Sequence, residues 1–366
     1  MSGTDTNLIG RPIEDLDTPA LLLDRAACDR NLRKMADFFR DRPCRLRPHF
    51  KNHKCATLAQ RQIEAGSAVG ITCAKLGEAE ILVDHGIEDV LIANQVVGGG
   101  KMRRLAELAR RASVRVAIDD VAQAGALSEA ATAAGVKVGA LVEVDIGMRR
   151  CGVQPGDAAL ALARRAAELP GIEFHGIQAY EGHAVYINDF EERAELTRRS
   201  IQLALDTRRL MEEHGLAIQA VSGGSSGTYA ITGVLEGFDE IQCGTYATMD
   251  WRYAEIVPEF EIALSVLVTV ISRPKPSVAV LDVGIKGAGS EFGTPRIKGH
   301  PEIEVPFFIS EEHTVIQNTP DWRVGKTIEL ISSHACTTCN LYRQMHVHEK
   351  GRVVDIWPIE GSGKLA

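Results

Sequence analysis

The sequence has no long hydrophobic run, and this absence narrows the class of protein first. No stretch of about 18 apolar residues occurs in the 366-residue chain, so a membrane-spanning helix is not expected. The first residues, MSGTDTNLIGRPIEDLD, include acidic side chains and lack the apolar core of a secretory signal peptide. We therefore expect a cytoplasmic protein with no membrane partner.

A cysteine framework and an excess of basic charge are also missing. The eight cysteines are scattered along the chain, so they indicate reduced thiols rather than disulfide bonds. The net charge is −8, and acidic and basic residues are interspersed throughout. This balance disfavours a nucleic-acid or anionic-membrane surface and favours simple solubility.

The sequence lacks the turn of a dinucleotide-binding sheet but shows a regular alternation of elements. No G-x-G-x-x-G turn follows an early strand, and the glycines at 98–100 predict an ordinary strand-to-helix connection. From residue 45 onward, β-rich runs alternate with helix-period segments such as 57–64, 76–84, 101–112, 157–168 and 190–214. Eight alternations predict a (β/α)8 TIM barrel, with strands at 45–49, 69–73, 89–93, 114–118, 138–145, 174–180, 218–222 and 239–243.

The pattern changes after about residue 255, where alternating β-branched runs dominate. These runs predict a C-terminal β domain with strands at 263–271, 278–282, 302–308, 313–317, 327–331 and 342–349. We therefore predict an α/β protein with a barrel at 25–253. The β domain is predicted at 254–366, together with the N-terminal residues 1–24.

Basic side chains crowd the end of the first predicted strand, in RPHFKNHK at 47–54. A barrel carries its working residues where strands end and loops begin. Desolvation and neighbouring cations lower the pKa of a lysine, which suits a Schiff-base amine, and Lys51 is the candidate. A solvated basic loop is the alternative interpretation.

Polar residues also follow the fifth and sixth predicted strands. Arg150, in EVDIGMRRCGV at 143–153, could meet a phenolate or a phosphate, or it could belong to a surface pair of arginines. The sixth strand ends in QAYEGH at 178–183, which fits either a polar mouth of the barrel or a plain loop.

Glycine-rich turns follow the last two strands, with SGGSSGT at 222–228 and CGTY at 243–246. Glycines let backbone amides approach an anion, and barrels often bind phosphate after strands seven and eight. A phosphate-bearing cofactor that also uses a lysine on the first strand points to pyridoxal 5′-phosphate (PLP).

In the β domain, SHACTTC at 333–339 follows a predicted strand. His334 and Cys336 could present an imidazole and a thiolate to one metal ion, and this pair of ligands suits zinc. Cys336 and Cys339 could instead form a redox pair, but they are expected to lack the helix start that such pairs use. Isolated buried thiols are the plain alternative.

Together these motifs resemble the family of D-threonine aldolases and 3-hydroxy-D-aspartate aldolases, alanine racemase-like enzymes with D-serine dehydratases as relatives. The resemblance runs from LDTPA at 16–20 to Trp357-Pro358. RPHFKNHK is similar to the family's RPH-x-K-x-H-K, which implies that Lys51 rather than Lys54 carries PLP, with His49 in the same motif. Arg150 matches the arginine at the O3′ oxygen of the cofactor, and Tyr180 matches the tyrosine beside its ring. The remaining implied cofactor contacts lie in the two turns: Ser222, Gly224, Ser225, Gly227, Thr228, Gly244, Thr245 and Tyr246.

Two positions depart from the aldolase pattern. The family usually has H-x-D at its metal, whereas this chain has His334-Ala335-Cys336, as dehydratases do. The cysteine favours zinc, with manganese, magnesium or cobalt as alternatives. Tyr186 stands where aldolases tend to have a histidine that takes the proton of the substrate hydroxyl, and His183 is a possible substitute.

The resemblance implies a PLP- and metal-dependent lyase that cleaves D-β-hydroxy amino acids to glycine and an aldehyde. Substrates of the D-threonine, D-phenylserine or 3-hydroxy-D-aspartate type are implied, as is a homodimer. The main alternative is a D-serine or D-3-hydroxyaspartate dehydratase that gives a keto acid and ammonia. A non-catalytic PLP-binding protein and a racemase are further alternatives.

Overall fold

The computed structural model describes residues 6–306 and 310–366. Residue contacts divide the chain into two units, which we call the barrel unit and the β unit. The barrel unit comprises Met35–Lys51, Leu58–Gly244 and Lys364–Ala366, and the β unit comprises Met1–Lys34, Asn52–Thr57 and Thr245–Gly363. The domain limits of 25–253 and 254–366 stay a prediction.

The barrel unit contains a closed ring of eight parallel strands, which confirms the predicted TIM barrel. The ladder order is β2-β9-β8-β7-β6-β5-β4-β3, and parallel bridges from Leu46 to Ala68 and from His49 to Thr72 close it. The first strand of the chain, β1 (Ala20–Asp24), lies in the other unit. The barrel strands are β2 (Arg45–Leu46), β3 (Ile71–Cys73), β4 (Asp89–Gln95), β5 (Ser113–Ile118), β6 (Val138–Val144), β7 (Ile172–Ala179), β8 (Ala220–Gly223) and β9 (Glu240–Ile241).

Helices follow the strands as the alternation predicts. They are α1 (Arg25–Phe39), α2 (Ala56–Glu64), α3 (Leu76–Asp84), α4 (Gly99–Leu108), α5 (Val121–Ala134), α6 (Asp157–Glu168), α7 (Phe190–Glu213) and α8 (Tyr229–Thr232). The carboxylate of Asp189 accepts the backbone N–H of Glu192 at 2.8 Å and so caps the start of α7. Gly98 immediately precedes α4, as expected for a strand-to-helix connection. Among the described residues, no helix has the length and hydropathy needed to cross a bilayer.

A buried network of ion pairs fills part of the barrel interior. The guanidinium of Arg47 donates to Glu240 at 2.7 Å and to Asp89 at 2.6 Å, and Arg115 pairs with the same two carboxylates. Burial alone would raise the pKa of Glu240, but the hydrogen bond and charge of Arg47 outweigh it and lower the pKa. Arg47 is therefore a structural residue of the barrel interior.

The β unit is built on a mixed sheet with the ladder order β12-β14-β10-β1-β15-β16, to which β11 and β13 are joined through β10. Its β1 and β15 are parallel, and the other paired strands are antiparallel. Leu22, Leu267 and Val353 form part of its hydrophobic core. Its remaining elements are α9 (Trp251–Ile256), β10 (Leu264–Lys275), β11 (Val278–Leu281), β12 (Arg296–Ile297), β13 (Thr314–Gln317), β14 (Thr327–Ile331), α10 (Ala335–Leu341), β15 (Gln344–Glu349) and β16 (Arg352–Pro358).

The strand predicted at 302–308 is wrong where the structure describes it. Residues 302–306 form a turn and an extended segment without ladder pairing, and Phe307 and Phe308 lie outside the described residues. Ile303 and Val305 are buried, so the alternation reflects burial without a strand. Pro301, just before the predicted strand, and Pro306, within it, lack the N–H group that a sheet ladder requires.

Buried histidines make the folded chain sensitive to acid. His348 is 5% exposed, and both of its ring nitrogens lack a hydrogen-bond partner among the described residues. Burial lowers the pKa of His348, so the unfolded chain binds a proton more readily than the folded chain. Stability from this group is present above an unfolded pKa of about 6.5 and is lost as the pH falls below it.

We expect urea unfolding curves to show a stability that falls between pH 7 and pH 5, and a weaker fall in His348→Gln. Each unit of pKa difference is worth about 1.4 kcal/mol. His175 and His346, whose pKa values burial also lowers, should retain part of the dependence. His313→Gln, at an exposed position, is the matched control. An unchanged slope in His348→Gln would contradict this account.

Candidate active site

Three of the predicted site residues meet in the barrel unit, although they come from separate loops. Tyr180 follows β7, Arg150 lies after β6, and Lys51 lies after β2. The Nζ atom of Lys51 is 5.8 Å from the centre of the Tyr180 ring, and Cζ of Arg150 is 5.6 Å from the same centre. An amine, a guanidinium and an aromatic face are thus gathered where the strands end, as a barrel active site requires.

Gly182 leaves the space that the ring of Tyr180 occupies. A Cβ atom added at Gly182 would overlap this ring and approach the sulfur of Met148 at 2.9 Å. Only glycine leaves enough space here, so the sequence QAYEGH encodes an aromatic platform and the room for it. An amine, an aromatic face and a guanidinium close together suit a flat ring carried by Lys51, and the residues therefore fit PLP.

Charge and hydrogen bonding around this platform are also defined. Burial raises the pKa of Glu143, which the hydrogen bond from Gln95 and the charge of Arg150 oppose. His49 is buried, and its Nδ1 accepts the backbone N–H of Lys51 at 3.4 Å. The backbone N–H of His49 donates to the carbonyl of Cys243 at 2.9 Å. His49 thus helps to hold the segment that carries Lys51.

The turn at 222–228 is closed by its own hydroxyl groups. The hydroxyl of Thr228 accepts the backbone N–H of Ser225 at 3.1 Å, and the hydroxyl of Ser225 accepts the N–H of Gly227 at 3.0 Å. Gly224 has a φ of 76°, in the left-handed region that favours glycine. The hydroxyl of Ser222 accepts from the amide of Gln242 at 2.9 Å. The turn is compact, and the backbone N–H groups of Ser225, Gly227 and Thr228 all donate within it.

The second predicted turn divides between the two units. Gly244 ends the main segment of the barrel unit, whereas Thr245 and Tyr246 begin a segment of the β unit. Tyr246 is buried, and its ring packs edge-on against Phe260 with 6.0 Å between the centroids. The hydroxyl of Thr245 accepts from the amide of Asn52 at 3.5 Å.

The two predicted proton acceptors lie in the loop between β7 and α7. Nε2 of His183 is 3.0 Å from the hydroxyl of Ser200 on α7, and its Nδ1 has no hydrogen-bond partner among the described residues. His183 lines an open cavity of about 420 Å³ together with Leu196 and Leu203. Tyr186 is half-buried in the same loop.

In the β unit, the structure brings together His334 and Cys336. Burial lowers the pKa of His334, but the charge of Cys336 and hydrogen bonds with Asp250 and Cys336 raise it to about 10. The side-chain hydrogen bond between His334 and Cys336 places the imidazole and the sulfur atom side by side, as two ligands of one ion would be. Within residues 6–306 and 310–366, no cluster of three or more histidine, cysteine, aspartate or glutamate side chains could hold a metal ion.

Two supporting residues of this pair could not be assigned from sequence. Oδ2 of Asp250 lies 3.3 Å from Nδ1 of His334 and accepts the N–H of Ala335 at 3.1 Å. A carboxylate on Nδ1 directs Nε2 of a histidine outward, as in many metal sites. Asn52, which directly follows Lys51, donates to the sulfur of Cys336 at 3.8 Å and accepts from Thr248 at 2.7 Å. The sequence indicates only that positions 52 and 250 carry an amide and a carboxylate, which are able to make such contacts.

The expectation that the cysteine pair lacks a helix start is wrong, because α10 begins at Ala335 with His334 as its N-cap. Histidine is an uncommon N-cap, and the sequence ACTTCNL contains few strong helix formers, so the helix is hard to predict. Burial raises the pKa of Cys339 well above its ordinary value, which keeps this thiol protonated. Cys339 is therefore a packing residue beside the pair.

Two family models match this chain. "Alanine racemase, N-terminal domain" matches residues 23–250, and "Putative serine dehydratase domain" matches residues 263–348. The first model spans the barrel strands, and the second contains both His334 and Cys336. The barrel strands, Lys51 and Tyr180 thus all lie in the part of the chain that matches the alanine racemase model.

Curated relatives narrow the family further. D-threonine aldolase from Arthrobacter sp is 38% identical over 97% of this chain and 95% of the relative. 3-hydroxy-D-aspartate aldolase from Paracoccus denitrificans (strain Pd 1222) is 35% identical over 98% and 95%. The crystal structure of D-threonine aldolase from Filomicrobium marinum has a TM-score of 0.95 and 39% identity, covering 98% of each chain. D-threo-3-hydroxyaspartate dehydratase from Delftia sp. (strain HT23) is more distant, at 27% identity over 88% and 92%.

The chain therefore belongs to the alanine racemase-like family of D-threonine aldolases and 3-hydroxy-D-aspartate aldolases, as its motifs predict.

Proposed function

We propose that this protein is a PLP-dependent lyase that cleaves D-β-hydroxy amino acids to glycine and an aldehyde. The aldolases that match nearly the whole chain support the reaction type. The observation that carries the proposal is the approach of Lys51 and Arg150 to the ring of Tyr180 at the mouth of the barrel. This arrangement provides an amine for the cofactor aldehyde, a platform for its ring and a cation for its oxygen.

Each barrel residue has a defined task in this proposal. When bound, PLP supplies an electron sink for the bond that breaks at the substrate Cα. Lys51 would hold the cofactor through its amine. Tyr180 would support the ring, Arg150 would contact its O3′ oxygen, and the turns at 222–228 and 244–246 would bind the phosphate. His49 holds the backbone of Lys51 in place.

We propose that His334 and Cys336 hold a divalent metal ion near the substrate hydroxyl. Zinc is favoured because a nitrogen and a thiolate ligand suit it better than manganese, magnesium or cobalt. Such an ion would lower the pKa of the β-hydroxyl of the substrate. Asp250 orients His334, and Asn52 donates a hydrogen bond to the sulfur of Cys336. Two protein ligands leave positions for water and substrate.

We assign the proton acceptor for the β-hydroxyl to Tyr186, with His183 as the alternative. A tyrosine has a reference pKa near 10, so it needs help from a nearby cation to act as a base. His183 already has a partner at Nε2 in Ser200. We also propose a homodimer, on the resemblance to the family alone.

Dehydration is the second candidate reaction, and Cys336 is the observation that favours it. The region 263–348 matches a putative serine dehydratase domain, and a dehydratase from Delftia sp. is among the relatives. The aldolases are nevertheless more similar and cover more of the chain. Aldol cleavage is therefore the better-supported reaction, and a non-catalytic PLP carrier or a racemase has no comparable support.

A substrate panel tests the reaction directly. We expect purified holoenzyme to release glycine, without stoichiometric ammonia, from D-threonine, D-phenylserine or D-3-hydroxyaspartate. Their L-enantiomers, which place the scissile bond differently on the cofactor, serve as controls. Ammonia and a keto acid as the main products would replace the aldolase proposal by a dehydratase.

The cofactor lysine is tested by covalent trapping. After borohydride reduction and peptide mapping, we expect the cofactor mass on Lys51, because its amine lies at the Tyr180 platform. Lys51→Ala should lose the visible absorption band of lysine-bound PLP and reduce kcat by at least about 1000-fold. Lys54→Ala, in the same motif, is the matched control and should keep the band. A band that survives in Lys51→Ala means that another lysine carries the cofactor.

The metal site is tested through Asp250. In Asp250→Asn only one side-chain oxygen remains for the three groups that now bond the carboxylate: His334, Ala335 and Tyr253. We expect zinc affinity, measured by competition with a chromogenic chelator, to fall roughly 10- to 100-fold. Asp189→Asn changes another helix cap and should leave the affinity unchanged. Full activity after exhaustive chelation of the wild type would remove the metal from the proposal.

A further inference from the structure

Glu181 is a buried acidic residue for which the proposed function has no role. It directly follows Tyr180 in QAYEGH, a segment that sequence alone leaves open between a polar mouth and a plain loop. The side chain is completely buried, with 0% of the residue exposed. A buried carboxyl group is costly unless its oxygens are hydrogen-bonded, so its contacts need an explanation.

One oxygen of Glu181 makes two short contacts. Oε1 accepts the hydroxyl of Thr228 at 2.7 Å and the hydroxyl of Thr232 at 2.7 Å. The other oxygen, Oε2, has no hydrogen-bond partner among the described residues. The carboxyl group is therefore directed at two hydroxyls, one at the end of the turn at 222–228 and one on α8.

The contact with Thr228 reaches the backbone of the turn. Because Thr228 donates its proton to Glu181, a lone pair of the same oxygen faces the N–H of Ser225, which it accepts at 3.1 Å. The chain of hydrogen bonds runs from Glu181 through Thr228 to Ser225 and thus fixes the donor direction of Thr228. Without Glu181 the hydroxyl hydrogen of Thr228 could turn, for example toward the carbonyl of Ser225 at 3.5 Å, and the bond from the N–H of Ser225 would weaken.

We propose that Glu181 is a positioning residue: by accepting the hydroxyl of Thr228, it holds the phosphate turn at 222–228 in its conformation. Tyr180 and Glu181 are consecutive, so the end of β7 directs one side chain to the ring of the cofactor and the next to the turn that binds its phosphate. This inference rests on the proposed function, because the turn is assigned to phosphate only there.

The test compares PLP with pyridoxal, which has the same ring and aldehyde but no phosphate. In Glu181→Ala we expect the affinity for PLP to fall roughly 10- to 100-fold, as for the loss of charge-assisted hydrogen bonds. The affinity for pyridoxal should change less than about 2-fold, since Tyr180 and Lys51 are untouched. Both dissociation constants are measured by absorbance titration of the purified apo-protein, and the phosphorus NMR shift of bound PLP reports the environment of the phosphate.

Three variants separate this role from a general loss of stability. Glu181→Gln keeps a carbonyl oxygen for both hydroxyls and should restore most of the preference for PLP. Thr232→Val removes one donor at constant volume and should shift the preference in the same direction as Glu181→Ala, but less. Ser128→Ala removes a buried bond to the N–H of Gly171 at the opposite end of β7, roughly 26 Å away, and should leave the preference intact.

The outcomes distinguish this inference from the function on which it rests. A wild type that binds PLP no better than pyridoxal would overturn the phosphate turn, and the role of Glu181 with it. A wild type that prefers PLP, together with a Glu181→Ala protein of unchanged preference, would overturn the role of Glu181 alone. If Glu181→Ala does not fold, Thr232→Val takes its place. An unchanged preference for PLP over pyridoxal in Thr232→Val would then overturn the proposal.

Discussion

The hydrogen bonds on both sides of the chain after β2 are the constraint on which the rest of the site depends. On one side, the N–H groups of Arg47 and His49 donate to Ile241 and Cys243 at 2.9 Å. On the other side, Phe50 donates to Thr72 at 2.7 Å. Although β2 is a ladder of only two residues, its continuation is held between two neighbours. Lys51 therefore leaves the barrel at a fixed point, where its amine reaches the ring of Tyr180.

Local signals account for most of what could be predicted. Parallel barrel strands are buried on both faces and produce continuous apolar runs, so the alternation of elements was readable from residue types alone. The limits of α3 and α6 agree with their predicted limits. The resemblance in the loop motifs identified Lys51, Arg150 and Tyr180, and the structure brings these three together.

Side-chain contacts between distant parts of the chain could not be predicted from the sequence. Arg47 and Glu240 are 193 residues apart, and nothing local to RPHFKNHK distinguishes an arginine that enters the barrel interior from one at its mouth. Asp250 and His334 are 84 residues apart, so the carboxylate that orients the histidine emerges only from the fold. The prediction of a strand at 302–308 was wrong for a related reason. Alternate residues can be buried without a hydrogen-bond ladder where prolines interrupt the segment.

The ionic interior of the barrel has a consequence for how this sequence can diverge. Arg47 and Glu240 are almost fully enclosed, and Arg115 and Asp89 complete their pairing. Replacing one member strands an unpaired charge in a poorly solvated space, whereas exchanging the whole group for apolar side chains can be neutral. Changes at these four positions are thus coupled, because the loss of one charge is tolerated only together with a change at its partners. The buried ion pairs of the barrel therefore restrict which single substitutions the sequence can accept at these positions.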